Sequence, residues 1–148
     1  MSKQEYDPLK IENQLCFPLY ACSRSLIRHY KPFLDKLDLT YTQYIAMLIL
    51  WDRKSAMVKE MGETLCLDSG TLTPLLKKLE AKGLVIRRRD ERDERNLIVT
   101  LTEKGAALRQ EALAVPTQIS ACVTLTPQEA DKLYRLLYKM MGRAVVEP

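Results

Sequence analysis

Cys16, Tyr30 and Tyr41 are the residues of this chain whose types could do chemistry together. Cys16 lies in Asn13-Gln-Leu-Cys-Phe-Pro-Leu-Tyr-Ala-Cys-Ser-Arg24, an apolar segment of helical character, and the two phenols follow farther along. Only a thiolate attacks a peroxide O–O bond efficiently, and hydrogen-bond donors around a sulfur favour that form. Phenol hydroxyls donate without adding charge, and their rings make an apolar pocket suited to lipid-like or aryl hydroperoxides. The product is a sulfenic acid, which no longer accepts the same hydrogen bonds and condenses readily with another thiol. Elsewhere the chain carries a short helix with a small, polar outer face and an arginine-loaded hairpin, the parts of a DNA reader. A thiol joined to a DNA reader implies a transcription factor that senses oxidants.

These residues need elements to hold them, and the pattern is mostly helical with one hairpin. Ile11, Leu15, Leu19, Leu26, Ile27 and Tyr30 recur at helical spacing and predict a long first helix. Pro18 within it implies either a kink or a late start near Cys16, and Pro32 a break or bend before Phe33. Thr40-Tyr-Thr-Gln43 reads as a capping box that opens a helix burying Tyr44, Ile45, Leu48 and Trp51. A third helix follows from about Val58 to Leu65. Asp68 caps a fourth, on which Leu72, Leu75, Leu76 and Leu79 form the inner face, and Gly83 ends it. The β-branched runs from Leu84 and from Leu97 flank a charged tip and predict a hairpin. Thr102 begins a long helix reaching roughly Cys122, and Thr126-Pro-Gln-Glu129 opens the last one.

The expected fold is therefore mainly α with a small β-wing. A winged helix-turn-helix over about residues 40–101 is flanked by helices at about 8–38 and 102–148 that are left to dimerise, all within one domain of residues 1–148. Apolar and charged fractions of 47% and 28% are ordinary for a globular protein and argue against disorder. The N-terminal stretch is polar, and no apolar run approaches the ~18 residues of a membrane span, so a cytoplasmic protein without a membrane partner is expected. Thiols stay reduced there, and disulfides are usually transient and functional. The four cysteines include no Cys-x-x-Cys pair, and one histidine, His29, cannot complete a zinc site with them, so neither metal nor cofactor is expected.

Net charge is only +4, too small to argue for nucleic acid alone, but five arginines fall between Arg87 and Arg95. On the fourth helix the leucines leave Ser69, Gly70, Thr71, Thr73, Pro74, Lys77 and Lys78 on or near the outer face. Small and hydroxyl-bearing residues near its start allow close approach to the major groove of double-stranded DNA, and the lysines suit phosphates. In the wing, Arg88, Arg92 and Arg95 are the candidates, with Arg92 near the tip placed to enter a narrow minor groove. A solvated helix or a salt-bridged hairpin would each be ordinary alone; both in this order are far more specific.

Leu79-Glu-Ala-Lys-Gly-Leu-Val-Ile-Arg87, Asp90-Glu-Arg-Asp-Glu-Arg95 and Leu101-Thr-Glu-Lys-Gly105 resemble the multiple antibiotic resistance regulator (MarR) family over nearly the whole chain. The resemblance implies a homodimer built through its first and last helices, reading pseudo-palindromic DNA with half-sites about one turn apart. It also makes Asp93 and Arg95 largely structural, with Arg92 nearer the DNA. Gln14-Leu-Cys-Phe-Pro-Leu-Tyr20 and Leu39-Thr-Tyr-Thr-Gln-Tyr44 resemble the organic hydroperoxide resistance regulator branch, although Pro18 stands where that branch has a less rigid residue. The branch carries a peroxidatic cysteine hydrogen-bonded by two tyrosines, matching Cys16, Tyr30 and Tyr41. Its two-cysteine members carry a resolving cysteine of the other subunit at a place matching Cys122, which implies an intersubunit Cys16–Cys122 disulfide. Cys22 and Cys66 are expected to be packed core residues.

The implied function is a repressor that binds DNA when Cys16 is reduced and lets go when an organic hydroperoxide or related oxidant attacks it. Two alternatives stay open: a regulator of the same family controlled by a non-covalent phenolic ligand, and a thiol peroxidase. The peroxidase leaves the wing and recognition helix unexplained. With a single histidine and no Ser/His/Asp set, the chain is not expected to be an enzyme of another kind.

Overall fold

The computed structural model describes residues 7–145, so the polar N-terminal stretch lies almost wholly outside the described residues. A 3-10 turn, Ile11–Asn13, leads into α1, Cys16–Asp35. Of the two readings of Pro18, the late start holds. Pro18 is the third residue of α1, within the first turn, where its missing N–H has no helical carbonyl to serve. Pro32, expected to break the helix, instead lies inside it, and α1 continues through Phe33 and Leu34 to Asp35. Leu34, only 1% exposed, anchors this last turn in the core and offsets the lost hydrogen bond.

α2, Tyr41–Arg53, begins at the expected capping box: Gln43 N donates to Thr40 Oγ1 at 3.3 Å, and Thr40 N donates to Gln43 Oε1 at 3.1 Å. Its buried residues are Gln43, Tyr44, Ala46, Met47, Ile49 and Leu50. Leu48, expected inside, is 44% exposed, while Ile45 and Trp51 are half-buried. The apolar run covers the whole circumference of α2, so hydrophobicity alone could not choose its inner face. β1, Ser55–Met57, a strand absent from the sequence reading, precedes α3, Val58–Leu65.

α4, Ser69–Ala81, is capped by Asp68, whose Oδ1 accepts from Thr71 N at 2.8 Å. Leu72, Leu75, Leu76 and Leu79 are its buried face. Gly83, at φ +74, takes the left-handed conformation that reverses the chain into β2, Val85–Arg89. β3, Leu97–Leu101, pairs antiparallel with both other strands in the order β1-β3-β2, with Arg87 opposite Val99. The core gathers Leu34, Met47, Leu50, Met61, Leu72, Leu76, Leu79, Val85 and Val99, each almost wholly buried, beneath α4 and the sheet.

The long helix expected from Thr102 to Cys122 is two helices, α5 (Glu103–Ala112) and α6 (Val115–Ser120). Pro116, near the start of α6, has no N–H for the Ala112 carbonyl, so the ladder stops at residues 113–114. α7, Pro127–Met140, opens with the expected Thr126/Glu129 capping box. It buries none of its residues within this chain, and Leu133, Leu136, Met140 and Met141 are 44–59% exposed. Among the described residues no helix is long and apolar enough to cross a membrane.

Candidate DNA interface and thiol site

α3, the outer face of α4 and the inner side of the hairpin line a groove of about 1150 Å³. Ser69, Thr73 and Lys77, one helical turn apart, line it from α4. Arg87, Arg89 and Arg95 line it from the hairpin, and Arg143, just beyond α7, lines it as well. Gly70, Thr71, Pro74 and Lys78 are exposed but lie outside this groove. Pro74 sits inside α4 rather than at its start, which leaves the Gly70 carbonyl without its usual helical donor on an exposed surface.

Strand alternation sorts the hairpin arginines. The Arg87 side chain turns toward Glu80 of α4: Nε and Nη2 donate to Glu80 Oε2 at 3.0 and 2.9 Å, and Arg87 N donates to Oε1 at 2.9 Å. These donors hold the Glu80 carboxyl below the usual carboxylate range. Arg88 therefore points to the opposite sheet face, and Arg89, which the sequence reading passed over, returns to the groove. The signal was available: alternation from Val85, fully buried, assigns Arg87 and Arg89 one side and Arg88 the other.

At the tip, Asp93 accepts from Arg95 N at 3.1 Å and from its Nε and Nη2 at 2.9 Å each. The Arg95 side chain holds the Asp93 carboxyl below its ordinary range. Asp90 Oδ1 accepts from Arg92 N at 3.0 Å, fixing the turn on which Arg92 stands. Among the described residues, no carboxylate pairs with the side chain of Arg88 or Arg92.

Cys16 is the first residue of α1 and is exposed. It sits at the end of the helix where backbone N–H groups favour negative charge. Tyr30 lies on the same helix, and Tyr41 begins α2. The two rings meet edge to face with centroids 4.9 Å apart, and Tyr44 lies 5.8 Å from Tyr30. Burial pushes the phenol of all three upward. The expected thiol–phenol network does not close within the chain. Tyr30 stands fourteen helical steps beyond Cys16, a rise of roughly 21 Å.

The tyrosine pair lines an apolar groove of about 600 Å³ together with Leu19, Cys22, Leu26, Ile119 and Leu137. Cys122 follows α6 and is exposed, its Sγ 3.5 Å from the Gln118 carbonyl. Cys22 and Cys66, expected in the core, are exposed instead. Cys22 faces the apolar groove, and Cys66 caps α3 in a left-handed conformation, φ 55 and ψ 38.

A family model described as transcriptional regulator SarA/Rot matches residues 28–112. The organic hydroperoxide resistance transcriptional regulator of Bacillus subtilis (strain 168) is 47% identical over 139 residues, 94% of this chain and 95% of the relative. The chain belongs to the MarR family of winged helix-turn-helix transcriptional regulators, in its organic hydroperoxide resistance regulator-like branch. Reduced AbfR bound to DNA is a solved relative of this MarR-family chain, with TM-score 0.74 at 36% identity over 89% of this chain and 91% of that one. Disulfide-formed AbfR has a TM-score of 0.64 at 38% identity, over 88% and 92%. AbfR comes from Staphylococcus epidermidis.

Proposed function

We propose that this chain is a homodimeric DNA-binding repressor that releases its operator when an organic hydroperoxide or related oxidant attacks Cys16. The observation that carries the reading is the groove in which Ser69, Thr73 and Lys77 of α4 face Arg89 and Arg95 of the hairpin. α4 would enter the major groove, with Ser69, Gly70, Thr71, Thr73 and Pro74 near base edges and Lys77 and Lys78 at phosphates. Arg92, held outward by the Asp90 and Asp93 turns, would reach the minor groove beside the exposed Arg88. Two such heads on one dimer match a pseudo-palindromic operator. The exposed apolar residues of α1 and α7 supply the surface that a second copy covers.

In such a dimer the Tyr30 and Tyr41 that meet Cys16 belong to the other subunit, since its own Tyr30 is roughly 21 Å away along α1. The Cys16 thiolate attacks one oxygen of the hydroperoxide, the O–O bond breaks, and the other oxygen leaves with a proton as the alcohol. The resulting sulfenic acid then meets the Cys122 thiol of the opposite subunit, forming S–S and releasing water. Because a disulfide needs Cα atoms within ~7 Å, closure draws α1 and the end of α6 together. The two reading heads then change spacing, and affinity that depends on both engaging at once falls. This conformation is nearer to DNA-bound AbfR, reduced and overoxidized alike, than to its disulfide form, which supports the disulfide as the step that changes the shape.

One equivalent of cumene hydroperoxide, followed by intact mass and a non-reducing gel, tests the reading. A dimer band lost in both Cys16→Ser and Cys122→Ser supports the two-cysteine sensor. One added oxygen lost only in Cys16→Ser keeps the sensor and removes Cys122 from it. The apolar groove lined by Tyr30 and Tyr41 would also suit a phenolic ligand, and an inert Cys16 would favour that second reading.

A further inference from the structure

We infer that Glu80 and Arg87 are positioning residues which lock the hairpin to the recognition helix at one fixed angle, so that both can engage DNA together. The inference rests on the DNA interface proposed above and deepens it. β2 is an edge strand, paired with β3 on one side only. An edge strand exposes unpaired N–H groups. Glu80, in the last turn of α4, covers one of them: its Oε1 accepts from Arg87 N at 2.9 Å. Its other oxygen takes both Nε and Nη2 of the same residue, at 3.0 and 2.9 Å.

Three bonds between one carboxylate and one residue fix translation and rotation together, because the guanidinium is a planar fork. The Glu80 and Arg87 side chains are 36% and 19% exposed, so water competes only partly. By contrast, the Arg95 side chain in the hairpin's other ion pair is 90% exposed, and its partner Asp93 lies two residues away. That pair shapes the tip and lies wholly within the hairpin. The Glu80–Arg87 brace alone ties a side chain of α4 to the hairpin by an ion pair among the described residues. Arg87 lines the same groove as Arg89, but its guanidinium is paired with Glu80 of α4.

The test uses the full chain and a duplex selected from a random-sequence pool by the reduced wild-type protein. Glu80→Gln, Arg87→Gln and the double variant are compared by binding, by hydroxyl-radical footprint and by thermal melting. Each single variant should bind roughly tenfold more weakly or worse, and the double variant no worse than either single. Minor-groove protection under the hairpin should fade while major-groove protection under α4 remains, and Arg87→Lys should recover part of it. Glu80→Asp is read in the same way should Glu80→Gln melt below the assay temperature.

Tighter binding by Glu80→Gln, together with weaker binding by Arg87→Gln, would overturn the inference by making Arg87 a phosphate contact that Glu80 restrains. Equal fading of both protections in step with a lower melting temperature would reduce the brace to general stability and overturn it too. A wild-type protein that selects no duplex would instead remove the DNA interface itself, and the inference with it.

Discussion

Cys16 begins α1 and Tyr30 lies roughly 21 Å farther along the same helix, while Tyr30 and Tyr41 touch edge to face at 4.9 Å. A thiol and two phenols that share one site must therefore come from two chains. Mixed dimers distinguish this arrangement from an intrachain one. A Cys16→Ser chain paired with a Tyr30→Phe/Tyr41→Phe chain should contain one intact site and react with hydroperoxide at close to half the wild-type amplitude. Each parent homodimer should react slowly or not at all. Mixed dimers no faster than the tyrosine-less parent would contradict the two-chain site.

Gly105 is the place where the least side chain would do the most damage. A Cβ there would lie 2.1 Å from the Leu84 carbonyl oxygen and 2.9 Å from Leu101 Cδ1. The Gly105 carbonyl also accepts from Trp51 Nε1 at 2.8 Å, so the backbone cannot retreat without losing that bond. Gly105→Ala should cost about 3 kcal/mol or prevent folding, read from urea denaturation. A loss below about 1 kcal/mol would show that α5 can shift away from the sheet.

The helices were largely legible in the sequence because their ends are written locally. Thr40/Gln43, Asp68, Thr102 and Thr126/Glu129 each sit at the helix start they announced. β1 was hidden because Ser-Ala-Met has no strand character of its own and is held only by pairing with β3. The break between α5 and α6 was readable from Pro116 but was masked by the apolar pattern on both sides of it. Of the site, the groove-facing stripe on α4 followed from its leucine period. The brace between Glu80 and Arg87 did not, because it forms only once Gly83 has folded β2 back along α4.

Acid should loosen the hairpin before the core. Glu80 and Asp93 are held below the ordinary carboxylate range by Arg87 and Arg95. Each therefore adds stability that is present above the unfolded carboxylate pKa of about 4 and is lost as pH falls through the depressed folded value. Amide signals of Arg87 and Arg95 should shift below about pH 4 while those of Leu76 and Val99 hold. A single transition shared by hairpin and core would contradict this.

Alkali should act on the tyrosine cluster in the opposite sense. Burial raises the phenols of Tyr30, Tyr41 and Tyr44, so the folded state keeps their protons longer than the unfolded chain does. Their contribution is complete below an unfolded pKa of about 10 and is lost as pH rises through the folded values. Ultraviolet titration should show phenols ionising late and together with unfolding. Normal ionisation of all seven tyrosines in the folded protein would contradict the burial.

In the proposed function the redox state of Cys16 decides whether the protein holds DNA. Fluorescence anisotropy of a labelled duplex selected by the reduced protein, before and after one equivalent of cumene hydroperoxide, tests it most directly. The wild-type chain should release the duplex and recover it with a thiol reductant, while Cys16→Ser should remain bound throughout. Release by Cys16→Ser to the same extent, or a wild-type protein oxidised at Cys16 by mass yet still bound, would contradict the account.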